Sequence, residues 1–278
     1  MQFVGHVAEL VRYPVKSMQG ERLERVEVTA AGLDGDRTWA VRDTETGRIA
    51  SAKQPRPWRA LLDCGATVGD DGVVVTLPDG TALRGDDPQL SVTLGGLVDR
   101  PVELARASTS NLGTYDSEWP DIDGLVLNGE HELPMAMSTE AARFVDLAAL
   151  HLMTTATLAH LRQLAPEATV DARRFRPNIL IDTGDAGEGF LEDAWVGATV
   201  RIGQTLELTG VGPTPRCVMT TVEQPGLGRA PSVLRAMAEH NRRPFAGLGE
   251  FACTGVYAEV AVPGVIAPGD EVRVTHSA

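Results

Sequence analysis

Short stretches of alternating apolar and polar residues fill the first hundred or so positions. VGHVAELVRYPV and ERLERVEVTA carry the two-residue period of half-buried strands. TWAVRDTETGRIA reads as a hairpin turning at Glu45-Thr46-Gly47, and GVVVTLPDGTALR as a second one turning at Pro78-Asp79-Gly80. Strands this short, punctuated by Gly and Pro, predict a barrel or sandwich. The pattern loosens at TSNLGTYDSEWPDIDG, which reads as a boundary or a long loop.

The helical period of 3.6 comes in afterwards. STEAARFVDLA predicts a helix capped by Ser138. TTATLAHLRQLAP predicts one capped by Thr154 or Thr155, with Leu158 and Leu161 on one face and Pro166 at its end. RRFRPNILIDT reads as a buried strand behind a cluster of arginines, and VGATVRIGQTLELTGVGP as another hairpin. PSVLRAMAEHNRR predicts a helix with Ser232 near its start, and ACTGVYAEVAVPGVIAPGDEVRVT closes the chain with strands. The fold class is therefore mainly β with α (α+β).

Composition narrows the function. The 278 residues are 43% hydrophobic, enough for a sizeable core. A net charge of -13 argues against nonspecific binding to nucleic acid or to anionic membranes. No apolar run approaches the roughly 20 residues of a membrane span, and the start lacks the pattern of a signal peptide, so a cytoplasmic protein is expected. The motifs GxGxxG, Walker A, HExxH and GxSxG are absent. Cys64, Cys217 and Cys253 are odd in number and far apart, which suggests neither a disulfide framework nor a zinc pair.

In so acidic a chain the setting of the cations is informative. Lys16 (beside Ser17), Arg37, Arg173-Arg174-Phe175-Arg176 and Arg216 are each flanked by Gly, Pro or apolar strand residues that hold a side chain in one direction. If they converge, they form a cationic pocket suited to a small anion such as a phosphate ester. Taken singly, each can instead pair with a nearby carboxylate such as Asp34, Asp36 or Asp182. Cys217 follows Pro215-Arg216. It is open to an inert reading, or to a functional one in which the adjacent guanidinium lowers the thiol pKa. Cys64 and Cys253 sit among strand-like apolar residues and read as core. His151, His160 and His240 are not spaced as a metal set, and no Cys/His/Asp triad is visible. A functional Cys217 therefore suits ligation of a soft or high-valent metal better than acyl transfer.

Four segments in order, YPVKSMQG, LDGDRTW, RFRPNILID and PRCVMTTV followed by GVY, resemble the MOSC proteins. The version with an N-terminal β-barrel domain resembles the mitochondrial amidoxime-reducing components and their bacterial relatives. The resemblance implies an N-terminal β-barrel-like domain over residues 1–110 and a MOSC β-barrel domain with flanking helices over 111–278, with a cofactor cleft between them. It implies Mo-molybdopterin as cofactor, with Cys217 as metal ligand and catalytic residue. Lys16, Ser17, Arg37, Thr154, Arg176, Asn178, Arg216 and Tyr257 are implied as cofactor contacts. It further implies a reductase of N-hydroxylated or N-oxide substrates, with electrons from a separate donor protein of ferredoxin, flavodoxin or cytochrome type. Two alternatives stay open at this stage: a carrier that delivers the cofactor or sulfur without turnover, and a β-rich module binding another phosphate ester.

Overall fold

The computed structural model describes residues 1–119, 129–137, 142–184, 187–245 and 247–276. Seven strands form a closed barrel. Their order is Leu150–Thr154, Ile179–Asp182, Gln2–Arg12, Glu271–Thr275, Thr199–Ile202, Leu206–Pro215 and Glu250–Val262, and the last pairs back onto the first. Closure leaves the ring no open edge. The interior is read off the two-residue period: Val200 and Ile202, Leu206 and Leu208, Val272 and Val274 all point into one core.

Only one pairing of the ring is parallel, Leu150–Thr154 beside Ile179–Asp182. A parallel pair needs a crossover, and the helix Thr155–Leu164 supplies it. Thr154 caps that helix, its hydroxyl accepting from the Thr157 amide at 3.1 Å. Leu158 and Leu161 pack with Val233, Leu234 and Met237 of the helix Pro231–His240.

The barrel takes its first strand from the very start of the chain. Val26–Thr29 pairs with Gly32–Leu33 and with Gly264–Ile266, and Val28 and Leu33 add to the barrel core. Much of the remaining N-terminal half forms small sheets with their own core, around Val41, Leu61, Val75 and Leu94. The expected hairpin at 72–84 is present and is joined by Gly65–Gly69. Trp39–Asp43 pairs mainly with Val102–Arg106.

Three sequence expectations change. Pro88–Val98 is a helix inside the stretch read as β. Its signals are the Asp87 side chain accepting from the Gln89 amide at 2.8 Å, Pro88 in the first turn, and Leu90, Leu94 and Val98 buried four apart. Thr114–Trp119, expected to be loose, is a strand paired along its length with Gly129–Pro134; Pro120 to Gly124 lie outside the described residues. The helix expected from Ser138 also falls partly outside them, and residues 142–148 are irregular. There the Phe144 amide donates to the Arg37 carbonyl at 2.8 Å. This ties the segment to the N-terminal half and uses a donor that a continuing helix would need. Among the described residues no helix is long and apolar enough to cross a membrane.

Candidate functional site

Segments distant in sequence meet around a cavity of about 710 Å³, counted with its open mouth. Its wall carries Lys16, Ser17, Arg37, Arg176, Asn178, Arg216, Cys217 and Tyr257. These are all of the sequence-expected site residues except Thr154. Among the described residues five non-glycine residues have a left-handed backbone, and Ser17 (φ 69°), Arg37 (φ 47°) and Arg176 (φ 57°) are three of them. Such conformations persist only where the surroundings enforce them, and they concentrate at binding sites.

Hydrogen bonds hold most of the polar side chains on this wall in place. The Ser17 hydroxyl accepts from the Ala52 amide at 2.9 Å. Arg37 donates to Asp36 at 2.5 Å and to the Asn178 side-chain oxygen at 3.2 Å. Asp36 also accepts from the Tyr13 amide at 2.7 Å. The local pairing foreseen for this arginine thus coexists with its place on the cavity wall. Of the three clustered arginines only Arg176 reaches the cavity. Arg173 pairs with Asp171, while Arg174 is fully buried and donates to the carbonyls of Thr169, Val222 and Gly228. Arg176 donates to the Met18 carbonyl at 2.7 Å and lies 4.1 Å from the Tyr13 ring centre. Burial lowers its pKa to about 10.

Arg216 is spent on the protein itself. It donates to the carbonyls of Thr254 and Phe175, and its Nη2 meets His151 Nε2 at 2.6 Å. Burial, then the Arg216 charge, push His151 well below its usual range, so the ring stays neutral and accepts. This corrects one expectation. The Cys217 thiol is raised by burial, and the cation that most opposes the rise is Lys53, ahead of the adjacent Arg216. Cys217 is buried and packs with Trp119, Phe251 and Cys253. Cys64 and Cys253 are core, as expected, and burial pushes both thiols up to about 12.

Several wall residues escaped the sequence reading: Ser51, Lys53, Asp146, His151 and Thr214. Asp146 binds Lys16 at 2.5 Å through one oxygen and Lys53 at 2.8 Å through the other. Burial lowers Lys16 to about 8 against the pull of Asp146. Both ammonium groups lie over the Tyr115 ring, at 4.8 and 5.3 Å. One signal could have found Lys53: Lys16 and Lys53 are the only two lysines in a chain with 25 Lys and Arg.

Thr154 lies off the cavity. Its hydroxyl donates to the buried carboxylate of Glu192 at 2.7 Å, as does that of Thr157. Burial raises Glu192 to about 7 from the usual 4.5, the two hydroxyls opposing. A raised acid favours the protonated fold. Its contribution is therefore complete below about pH 4.5 and lost as pH rises through about 7. Glu192→Gln is expected to match the parent near pH 4.5 and to be more stable by roughly 2–3 kcal/mol at pH 8. Chemical denaturation at the two pH values checks this, and an equal difference at both would contradict it.

Residues 4–119 match the MOSC N-terminal beta barrel domain and residues 139–273 the MOSC domain. The chain belongs to the MOSC family. This MOSC protein is 27% identical over 295 residues to mitochondrial amidoxime-reducing component 1 of Homo sapiens, covering 98% of this chain and 83% of that protein. It is 30% identical over 242 residues to mitochondrial amidoxime reducing component 2 of Macaca fascicularis, covering 80% and 68%. It is also 23% identical over 252 residues to the molybdenum cofactor sulfurase of Oryza sativa subsp. japonica, covering 79% of this chain and 28% of that one.

Proposed function

We propose that this MOSC protein is a molybdenum cofactor-dependent reductase of N-hydroxylated or N-oxide compounds. The observation that carries the reading is the convergence of Cys217 with Lys16, Ser17, Arg37, Arg176, Asn178, Arg216 and Tyr257 on one cavity. The chemistry of the donor set fits Mo-molybdopterin. Among the described residues no group of three His, Cys, Asp or Glu makes a metal cage, so a metal held by Cys217 has to bring its other ligands with it. Two buried polar atoms on the wall, Arg176 Nη2 and Thr214 Oγ1, have no hydrogen-bond partner within the protein, and a buried donor left unpaired is costly. A phosphate or a polar pterin edge would satisfy them.

When bound, the cofactor would supply the two-electron removal of oxygen from an N–O bond. The chain's own part is positioning. Cys217 offers one thiolate from a fixed place on the wall. Arg37 and Arg176, both on the cavity wall, would hold the anionic group of a bound cofactor. The cost of their strained backbone is set in the fold before the ligand arrives. Burial of Cys217 and His151 keeps bulk water from that wall, and the half-buried Tyr257, its pKa raised by desolvation, stays protonated and able to donate. Thr154 acts from behind, by capping the helix that follows Leu150–Thr154. Electrons would come from a separate ferredoxin, flavodoxin or cytochrome in the cytoplasm.

Cofactor-loaded protein with dithionite is expected to convert benzamidoxime to benzamidine at a rate proportional to enzyme. Loaded protein that turns over neither an amidoxime nor an N-oxide sinks the reading. A second reading is favoured by the similarity to the cofactor sulfurase: a carrier that hands on cofactor or sulfur. It predicts loss of molybdenum to a cofactor-free acceptor enzyme on mixing, without turnover.

A further inference from the structure

The cofactor contacts just proposed leave Lys53 without a role. It shares the carboxylate of Asp146 with Lys16, so two ammonium groups face one negative charge. Among the described residues Asp146 is the only carboxylate lining the cavity. An ammonium has three donors. Lys53 has one carboxylate contact and the face of Tyr115, so donor capacity remains on the wall. Its backbone places it beside the cysteine: the Lys53 carbonyl accepts from the Glu118 amide at 2.7 Å, and the next residue, Trp119, packs on Cys217. Arg37 and Arg176 add to the positive field of the same cavity.

We infer that Lys53 forms an anion subsite beside Cys217 that selects N-oxygenated substrates carrying a carboxylate over their neutral and cationic counterparts. This rests on the reductase reading for the word substrate, but not for the subsite itself. The charge balance makes Lys53→Gln a clean probe, because it leaves Lys16 and Asp146 as a matched pair. Lys53→Arg keeps the charge and serves as the conservative control.

The test uses cofactor-loaded protein with carbon-13-labelled lysine. Only two lysine side chains can give signals, and the one lost in Lys53→Gln is assigned to Lys53. Titration with benzoate is expected to shift the Lys53 signal of the parent to saturation. Isothermal calorimetry on all three proteins is expected to show the affinity falling about tenfold in Lys53→Gln and kept in Lys53→Arg. In turnover, kcat/KM for 4-carboxybenzamidoxime over benzamidoxime is expected to be about tenfold in the parent and near one in Lys53→Gln. A Lys53 signal that ignores benzoate, or a preference that survives Lys53→Gln, overturns the subsite. If the parent reduces neither substrate, the reductase reading falls, and the benzoate titration still decides the subsite.

Discussion

Arg176→Ala is expected to purify with less than about a tenth of the parent's pterin, a fall of roughly 100-fold in affinity. The guanidinium is buried and stacked on Tyr13 at 4.1 Å, with Nη1 spent on the Met18 carbonyl and Nη2 unpaired. A phosphate is the partner that this fork suits, and two charge-assisted bonds account for an effect of about 2–3 kcal/mol. The backbone at φ 57° is strained for alanine as it is for arginine, so the substitution reads the side chain and not the turn. Arg176→Lys keeps a charge but not the fork and is expected to fall between the two. The parent's pterin retained in Arg176→Ala would place the phosphate elsewhere.

Gly255→Ala is expected to destabilise the fold by on the order of 3–5 kcal/mol and to lower cofactor content with it. Gly255 has φ +86°, and a Cβ there would lie 2.1 Å from His151 Nε2 and 2.8 Å from the Leu152 carbonyl. Both neighbours belong to the strand paired with Glu250–Val262, so neither can give way freely. His151 in turn meets Arg216, next to Cys217. Gly226→Ala is the control: its φ is +72° with open space around it, so only the backbone preference is lost, about 1–2 kcal/mol. Urea denaturation compares them, and equal costs would mean that the close approach to His151 carries no weight.

Much of the molecule was legible in local patterns. The barrel strands show their period of two, and Thr154 announced the helix it caps. The loop motifs named nearly every cation on the cavity wall, because Pro and Gly neighbours mark where the backbone is fixed. What escaped depended on long-range meetings. Asp146 sits in a stretch with helical character that is irregular in its described part, where the Phe144 amide bonds to Arg37 instead. Lys53 follows no motif, and its importance shows only once Asp146 joins it to Lys16, 37 positions away in sequence from Lys53. Adjacency also misled: Arg216 neighbours Cys217 in the chain but spends its donors on carbonyls and His151, leaving Lys53 as the main cation acting on the thiol. The helix Pro88–Val98 was hidden by β-branched residues and a Gly-Gly pair, although Asp87 and Pro88 mark its start.

The central claim is that Cys217 presents a thiolate to the metal of a pterin held by the surrounding cations. Its most direct test is molybdenum and pterin per mole of protein, for the parent and Cys217→Ser, both made in a host that synthesises the cofactor. The account predicts close to one of each in the parent, with molybdenum lost or its spectrum altered in Cys217→Ser. Parent and variant alike devoid of molybdenum and pterin, despite a supplied cofactor, would contradict it and leave a phosphate-binding module as the better description of the cavity.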